Sequence, residues 1–140
     1  MQITTILGSC VAIALFDPIL RVGGINHYLL PSPPQGAPTT PRYGTSAILA
    51  LLEGFNRFGS QRSSLQAKVF GGANVLANVR IGHGIGQLNI ETAIRSLSNL
   101  EIPIVEQNTG GNKGRRIVLD TSNFNVFHEF PADRRNASAA

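Results

Sequence analysis

The chain has 140 residues, 42% hydrophobic and 14% charged. That suits one ordinary domain with one core, and no uninterrupted apolar run approaches the ~20 residues of a membrane-spanning helix. Its one cysteine, Cys10, excludes an intrachain disulfide and gives no sign of an oxidising compartment. The formal net charge is +4, but the cations are scattered except for Lys113, Arg115 and Arg116, and Arg134 with Arg135. With no aromatic residues interleaved for base stacking, nucleic acid is a poor fit and an acidic protein partner a better one.

Val11 to Phe16 is a continuous apolar run that stops at Asp17-Pro18, a turn signal. Arg21 to Tyr28 resumes after a four-residue loop, so the two segments predict a β-hairpin. Leu30 to Pro41 holds five prolines and is expected to be a surface loop beside the end of the second strand. Thr45 to Phe58 is predicted as a helix, with Ile48, Leu51, Leu52, Phe55 and Phe58 at helical spacing and Gly59 as its stop. Gln66 to Phe70 reads as a strand running into Gly71-Gly72. Asn89 to Leu100 reads as a second helix with Ile90, Ala93, Ile94, Leu97 and Leu100 on one face. Ile102 to Glu106 is a further strand. Arg115 to Leu119 and Asn125 to Phe130 form a closing hairpin around Asp120-Thr121-Ser122-Asn123. Residues 131–140 are expected to be a frayed tail. The sum is a mixed α/β domain over residues 1–130, without repeat or linker.

The chemistry concentrates on Cys10, in Leu7-Gly8-Ser9-Cys10, and His27, in Gly23-Gly24-Ile25-Asn26-His27. The hairpin brings the start of its first strand to the end of its second, so the thiol and the imidazole become neighbours. A thiol with a placed imidazole is the minimum for nucleophilic acyl chemistry. Cys10 precedes a β-rich run, so activation by a helix N-terminus is not expected and falls to His27 as base or imidazolium partner. Thr4, Thr5 and Asn26 are the candidates to orient the ring. Gly8 and Ser9 allow close approach of a substrate and leave amide N–H groups for an oxyanion hole.

Other motifs carry less. A lone cysteine is also a common buried small hydrophobe. His83, between Gly82 and Gly84, is an alternative base in a glycine turn, and His128 reads as structural. Gly82-x-Gly84-x-Gly86 has the wrong spacing for a dinucleotide fingerprint, and no Gly-Lys-Ser/Thr occurs. No metal-ligand cluster and no cofactor motif is visible. Leu-Gly-Ser-Cys superficially matches a lipoprotein cleavage site. However, no cation precedes it, and the apolar run follows the cysteine instead of leading to it.

Taken together, the segments resemble the CheD family of chemoreceptor glutamine deamidases. The resemblance rests on Leu7-Gly8-Ser9-Cys10-Val11, Asp17-Pro18, Gly23-Gly24-Ile25-Asn26-His27 with Leu30-Pro31, and Arg42-Tyr43-Gly44. It continues through Gln66-Ala67-Lys68-Val69-Phe70-Gly71-Gly72-Ala73, Ile81-Gly82 with Asn89, Ile102-Pro103-Ile104, and Gly110-Gly111 with Gly114-Arg115. It implies a sandwich-like core of β-strands flanked by helices, similar to bacterial toxins that deamidate glutamine. It implies hydrolysis of glutamine side chains to glutamate on the cytoplasmic helices of chemoreceptors, through a cysteine thioester, with weak methylesterase activity as a by-product. The family's nucleophile falls on Cys10, its base on His27, and its third residue, a threonine six positions before the cysteine, on Thr4. Gly8, Ser9 and Asn26 are the positioning candidates. A cytoplasmic location, a CheC-like phosphatase as partner and no cofactor are also implied. Family members usually carry another strand's worth of residues before this block. Thr45 stands where they often have aspartate, a change a threonine cap absorbs. The rival to an enzyme is a docking module of the same fold with little turnover.

Overall fold

The computed structural model describes residues 1–75 and 84–130. Seven strands and two α-helices follow one another as β1 (Gln2–Leu7), β2 (Val11–Asp17), β3 (Val22–Tyr28), α1 (Gly44–Arg57), β4 (Gln66–Gly71), α2 (Ile85–Asn99), β5 (Ile104–Thr109), β6 (Arg115–Asp120) and β7 (Val126–Glu129). One sheet has the order β1-β6-β7, the other β3-β2-β4-β5. The helices pack on the outer face of the four-stranded sheet and the three-stranded sheet covers its inner face. The mixed α+β architecture with a sandwiched core agrees with the expectation from sequence.

β2 is the middle of this arrangement, and its composition explains why. All seven of its residues are buried. A strand covered on both faces has no reason to alternate, so it reads as a continuous apolar run. Val11, Ile13 and Leu15 meet the helices through Ile48, Phe55, Ile90 and Leu97. Ala12, Ala14 and Phe16 face the other sheet among Leu7, Ile117, Leu119 and Phe124, with Phe70 of β4 beside Ala12.

The β2–β3 hairpin turns on Asp17. Its side chain accepts the amides of Ile19 (2.8 Å) and Leu20 (3.2 Å), and its carbonyl accepts the amide of Arg21 (2.8 Å), whose φ is 57°. This is the side-chain mimicry of a turn that makes aspartate a turn residue.

Boundaries moved where the local signal was weak. β1 was not distinguished by sequence, although Ile3, Thr5 and Leu7 alternate with exposed neighbours along it. Helix α2 begins at Ile85, four residues before the periodic run, because its first turn packs against Gly72 and Ala73. Strand β5 starts at Ile104, past Pro103, and runs to Thr109. The prolines of the Leu30–Pro41 loop lie between two anchored ends. Leu29 and Leu30 both donate to the Arg42 carbonyl, and Gly44 donates to that of Leu30 (2.8 Å). No described helix is long and apolar enough to cross a membrane.

Candidate active site

Strand direction puts seven chain segments at one end of the sandwich: the end of β1, the start of β2, the ends of β3, β4 and β5, the start of β6 and the end of β7. Cys10 sits there, immediately before β2. His27 pairs with Ala12 across the hairpin. Cys10 lies two residues before Ala12, so it shares that face and is the diagonal neighbour of His27. Both side chains look toward the three-stranded sheet, with Cys10 packed against the cluster of Leu7, Ala12, Phe70 and Ile117.

The third member comes from β1. Thr5 Oγ1 lies 3.0 Å from His27 Nδ1. Thr4, the position marked by the family resemblance, stands exposed on the opposite face of β1 and does not reach the ring. The difference follows from the two-residue period of a strand: of two adjacent threonines, only one can point inward. Asn26 is displaced by the same rule. It lies on the helix-facing side of β3, away from His27, and its Oδ1 accepts the Ile13 amide at 2.9 Å. It holds the hairpin together and neither orients the ring nor contacts the thiol face.

Gly8 and Ser9 form the turn between β1 and β2, and its carbonyls are all engaged from outside. Gly8 accepts from the Ala73 amide (2.9 Å), Ser9 from Asn89 Nδ2 (3.0 Å) and Cys10 from the Gly72 amide (2.8 Å). Among the described residues the amides of Gly8, Ser9 and Cys10 have no acceptor in another residue, which leaves them available to a negative oxygen.

Asn89, Gly71 and Gly72 carry this geometry, and sequence reading assigned them no role. Asn89 is fully buried. Its Nδ2 also donates to the Leu29 carbonyl (3.0 Å), and its own carbonyl accepts the Tyr28 hydroxyl (2.6 Å). One side chain of α2 therefore ties the Cys10 turn to the His27 strand. The available signal was an asparagine in line with the apolar stripe of α2. Gly71 has φ 102°, and a Cβ there would drive into the Cys10 carbonyl oxygen. Gly72 has φ 71°, with Ile90 and the Gly86 carbonyl pressed against it. Only glycine allows this left-handed, close-packed approach.

Burial pushes the Cys10 thiol above its ordinary 9.0, although its own amide works the other way. His27 is exposed, yet the protein around it removes enough water to pull its imidazole below the ordinary 6.5. The resting pair at neutral pH is therefore thiol and neutral imidazole, the state in which the ring can accept a proton. His128 bonds through Nε2 to Asn108 Nδ2 (3.0 Å), between β7 and β5. His83 and Gly82 lie outside the described residues, as does the 131–140 tail. Among the described residues no three His, Cys, Asp or Glu side chains gather as a metal site.

The geometry is that of a mixed α+β sandwich whose one end carries the Cys10 thiol and, on the same face, the Thr5–His27 pair. A family model described as CheD chemotactic sensory transduction matches residues 29–129, a segment that starts two residues after His27. The chain is 44% identical to the probable chemoreceptor glutamine deamidase CheD 1 of Anaeromyxobacter dehalogenans, over 84% of this chain and 68% of that one. It is 42% identical to the probable chemoreceptor glutamine deamidase CheD of Trichlorobacter lovleyi, over 86% and 74%. Against the protein of that name from Sulfurimonas denitrificans the identity is 40%, over 91% and 83%. The chain belongs to the CheD family.

Proposed function

We propose that this chain does what its relatives are named for: it hydrolyses glutamine side-chain amides of chemoreceptors to glutamate, with Cys10 as nucleophile, His27 as base and Thr5 as the residue that orients the ring. The observation that supports the reading best is the Thr5–His27 contact on the face that Cys10 shares, next to a turn whose carbonyls are all drawn away. In this reaction His27 Nδ1–H donates to Thr5 Oγ1, which leaves Nε2 to take the Cys10 proton. The sulfur attacks the carboxamide carbon, and the amides of the Gly8–Cys10 turn hold the negative oxygen. His27 returns the proton to nitrogen, ammonia leaves and a thioester remains. Water, deprotonated by His27, then cleaves the thioester to glutamate and free thiol. A glutamyl methyl ester offers the same carbon to the same nucleophile, so slow ester hydrolysis accompanies the reaction. The substrate segments are cytoplasmic, which places the enzyme in the cytoplasm, and a CheC-like phosphatase would compete for the same end of the sandwich.

A second reading is a docking module of the same fold. It is favoured by the raised thiol pKa and by the exposure of His27. Peptide mass spectrometry of a chemoreceptor cytoplasmic fragment separates the two. Incubation with the protein should add about one dalton per converted glutamine through thioester hydrolysis, and Cys10→Ala should add none. Binding of the fragment without any mass gain would establish the docking module instead.

A further inference from the structure

At the same end of the sandwich, beyond Leu7, a cavity of about 660 Å³ is lined by Asn108, Gly110, Gly111, Lys113, Arg115 and Phe130, among others. No Asp or Glu lines it among the described residues. Arg115 opens β6, is paired in register with Leu7 and is only 2% exposed. Its guanidinium donates to the Asn108 carbonyl (2.6 Å), to Asn108 Oδ1 and to the Gly110 carbonyl. The Phe130 ring covers it, with the guanidinium carbon 5.2 Å from the ring centre. Among the described residues its buried Nε has no partner and no carboxylate pairs with the guanidinium. The nearby acid Glu129 is taken by Arg116 at 2.8 Å.

A buried cation with only neutral acceptors is costly unless a counter-charge completes it. The neighbouring Lys113 is exposed and adds a second positive charge at the mouth. The cavity wall is also linked to the Cys10 turn through the backbone. Gly110 donates to the Gly71 carbonyl (2.9 Å), and Gly72 donates to that of Cys10 (2.8 Å). Asn74 donates to the Gly111 carbonyl (2.8 Å), and Gly114 lies against the Leu7 carbonyl. The loop that walls the cavity is thus tied to the Cys10 turn through Gly71, Gly72 and Asn74.

We propose that this cavity is a second substrate subsite, which seats a carboxylate side chain of the protein substrate close to the glutamine presented to Cys10. The proposal rests on the deamidase reading for the identity of the substrate. It makes the enzyme selective for glutamines with an acidic neighbour. Arg115, held by the Asn108–Gly110 loop, supplies the fixed charge, and Lys113 makes the direct, solvent-facing contact.

The test is a binding measurement with the inert Cys10→Ala protein, which leaves the ligand unchanged. Two labelled chemoreceptor cytoplasmic fragments are compared. One is native; in the other, every Asp and Glu within one helical turn of a glutamine is replaced by its amide. The native fragment should bind about tenfold tighter, the worth of one charge-assisted hydrogen bond. The further substitution Lys113→Glu should erase that preference, Lys113→Arg should keep it, and high salt should shrink it. Equal or absent binding of the two fragments would overturn the subsite, as would an undiminished preference in Lys113→Glu. Arg115→Gln is a secondary probe because its loss can unfold the loop, whereas Lys113 stands at the surface. A charge preference that persists while the wild-type protein adds no mass to the fragment would sink the deamidase reading and leave the subsite standing.

Discussion

The two ends of the β2–β3 hairpin are built in opposite ways. At the Asp17 end, one side chain and one carbonyl organise the turn through partners two to four residues away. At the Cys10 end, the contacts that matter span 22 residues for Thr5 with His27, 61 for Tyr28 with Asn89 and 80 for Asn89 with Ser9. A turn closed by its own residues folds wherever its sequence is placed. A turn whose carbonyls are held by Gly72, Ala73 and Asn89 has its shape only when β4 and α2 have docked. Cys10, the proposed nucleophile, sits at the end that depends on the whole fold, where distant elements set its neighbours.

That contrast can be broken by substitution. The largest effect is expected for Gly71→Ala. Left-handed strain and collision with the Cys10 carbonyl together should cost about 3 kcal/mol or more, seen as a marked drop in thermal stability with loss of turnover. A variant as stable as wild type would show that the Cys10 turn is not held by this approach. Next is His27→Ala, which should lower the deamidation rate by at least ~10²-fold in a protein that melts like the parent. An unchanged rate would move the base elsewhere.

The adjacent threonines give the sharpest discrimination. Thr5→Val should slow turnover by about tenfold, the equivalent of one lost hydrogen bond, while Thr4→Val should leave it unaltered. The reverse result would mean that β1 presents its other face when substrate is bound. The smallest effect belongs to the opposite end: Asp17→Ala should cost about 1 kcal/mol of stability with the rate per folded molecule unchanged. A loss of activity there would erase the distinction between the two ends.

The pH dependence follows from the two shifts. Because burial lowers the His27 pKa, the base is neutral throughout the neutral range, and turnover should fall only as pH drops below its ordinary 6.5. Because burial raises the Cys10 pKa, its alkylation by iodoacetamide should be slow at neutrality and still climbing past pH 9.0. Fast alkylation near pH 6 would instead reveal a preformed thiolate–imidazolium pair.

Much of this molecule was legible before folding. The apolar run of β2, the Asp17-Pro18 turn, the helical spacing of α1 and the closing β6–β7 hairpin are local patterns, and each is found within a residue or two of its predicted place. The start of α2 was not legible, because Ile85 to Leu88 become helical only against Gly72 and Ala73. β1 was missed because a short strand beside the chain terminus offers few alternations to count. Asn26 and Thr4 lie on the faces turned away from His27, which neither spacing nor resemblance could say, since neither tells which face of a strand looks toward the thiol.

From the sequence alone come the nucleophile and base candidates, Cys10 and His27, and the hairpin that brings them together. These depend on residue type and on a turn of short range, which the chain carries in its order. Only the tertiary structure decided that Thr5 bonds to the ring, that Asn89 ties the Cys10 turn to the His27 strand, and that Arg115 lies buried beside them with no carboxylate partner among the described residues. Such relations join residues tens of positions apart. They exist only when two sheets and a helix converge on one end of the sandwich, and no local pattern records which side chains that convergence will bring into contact.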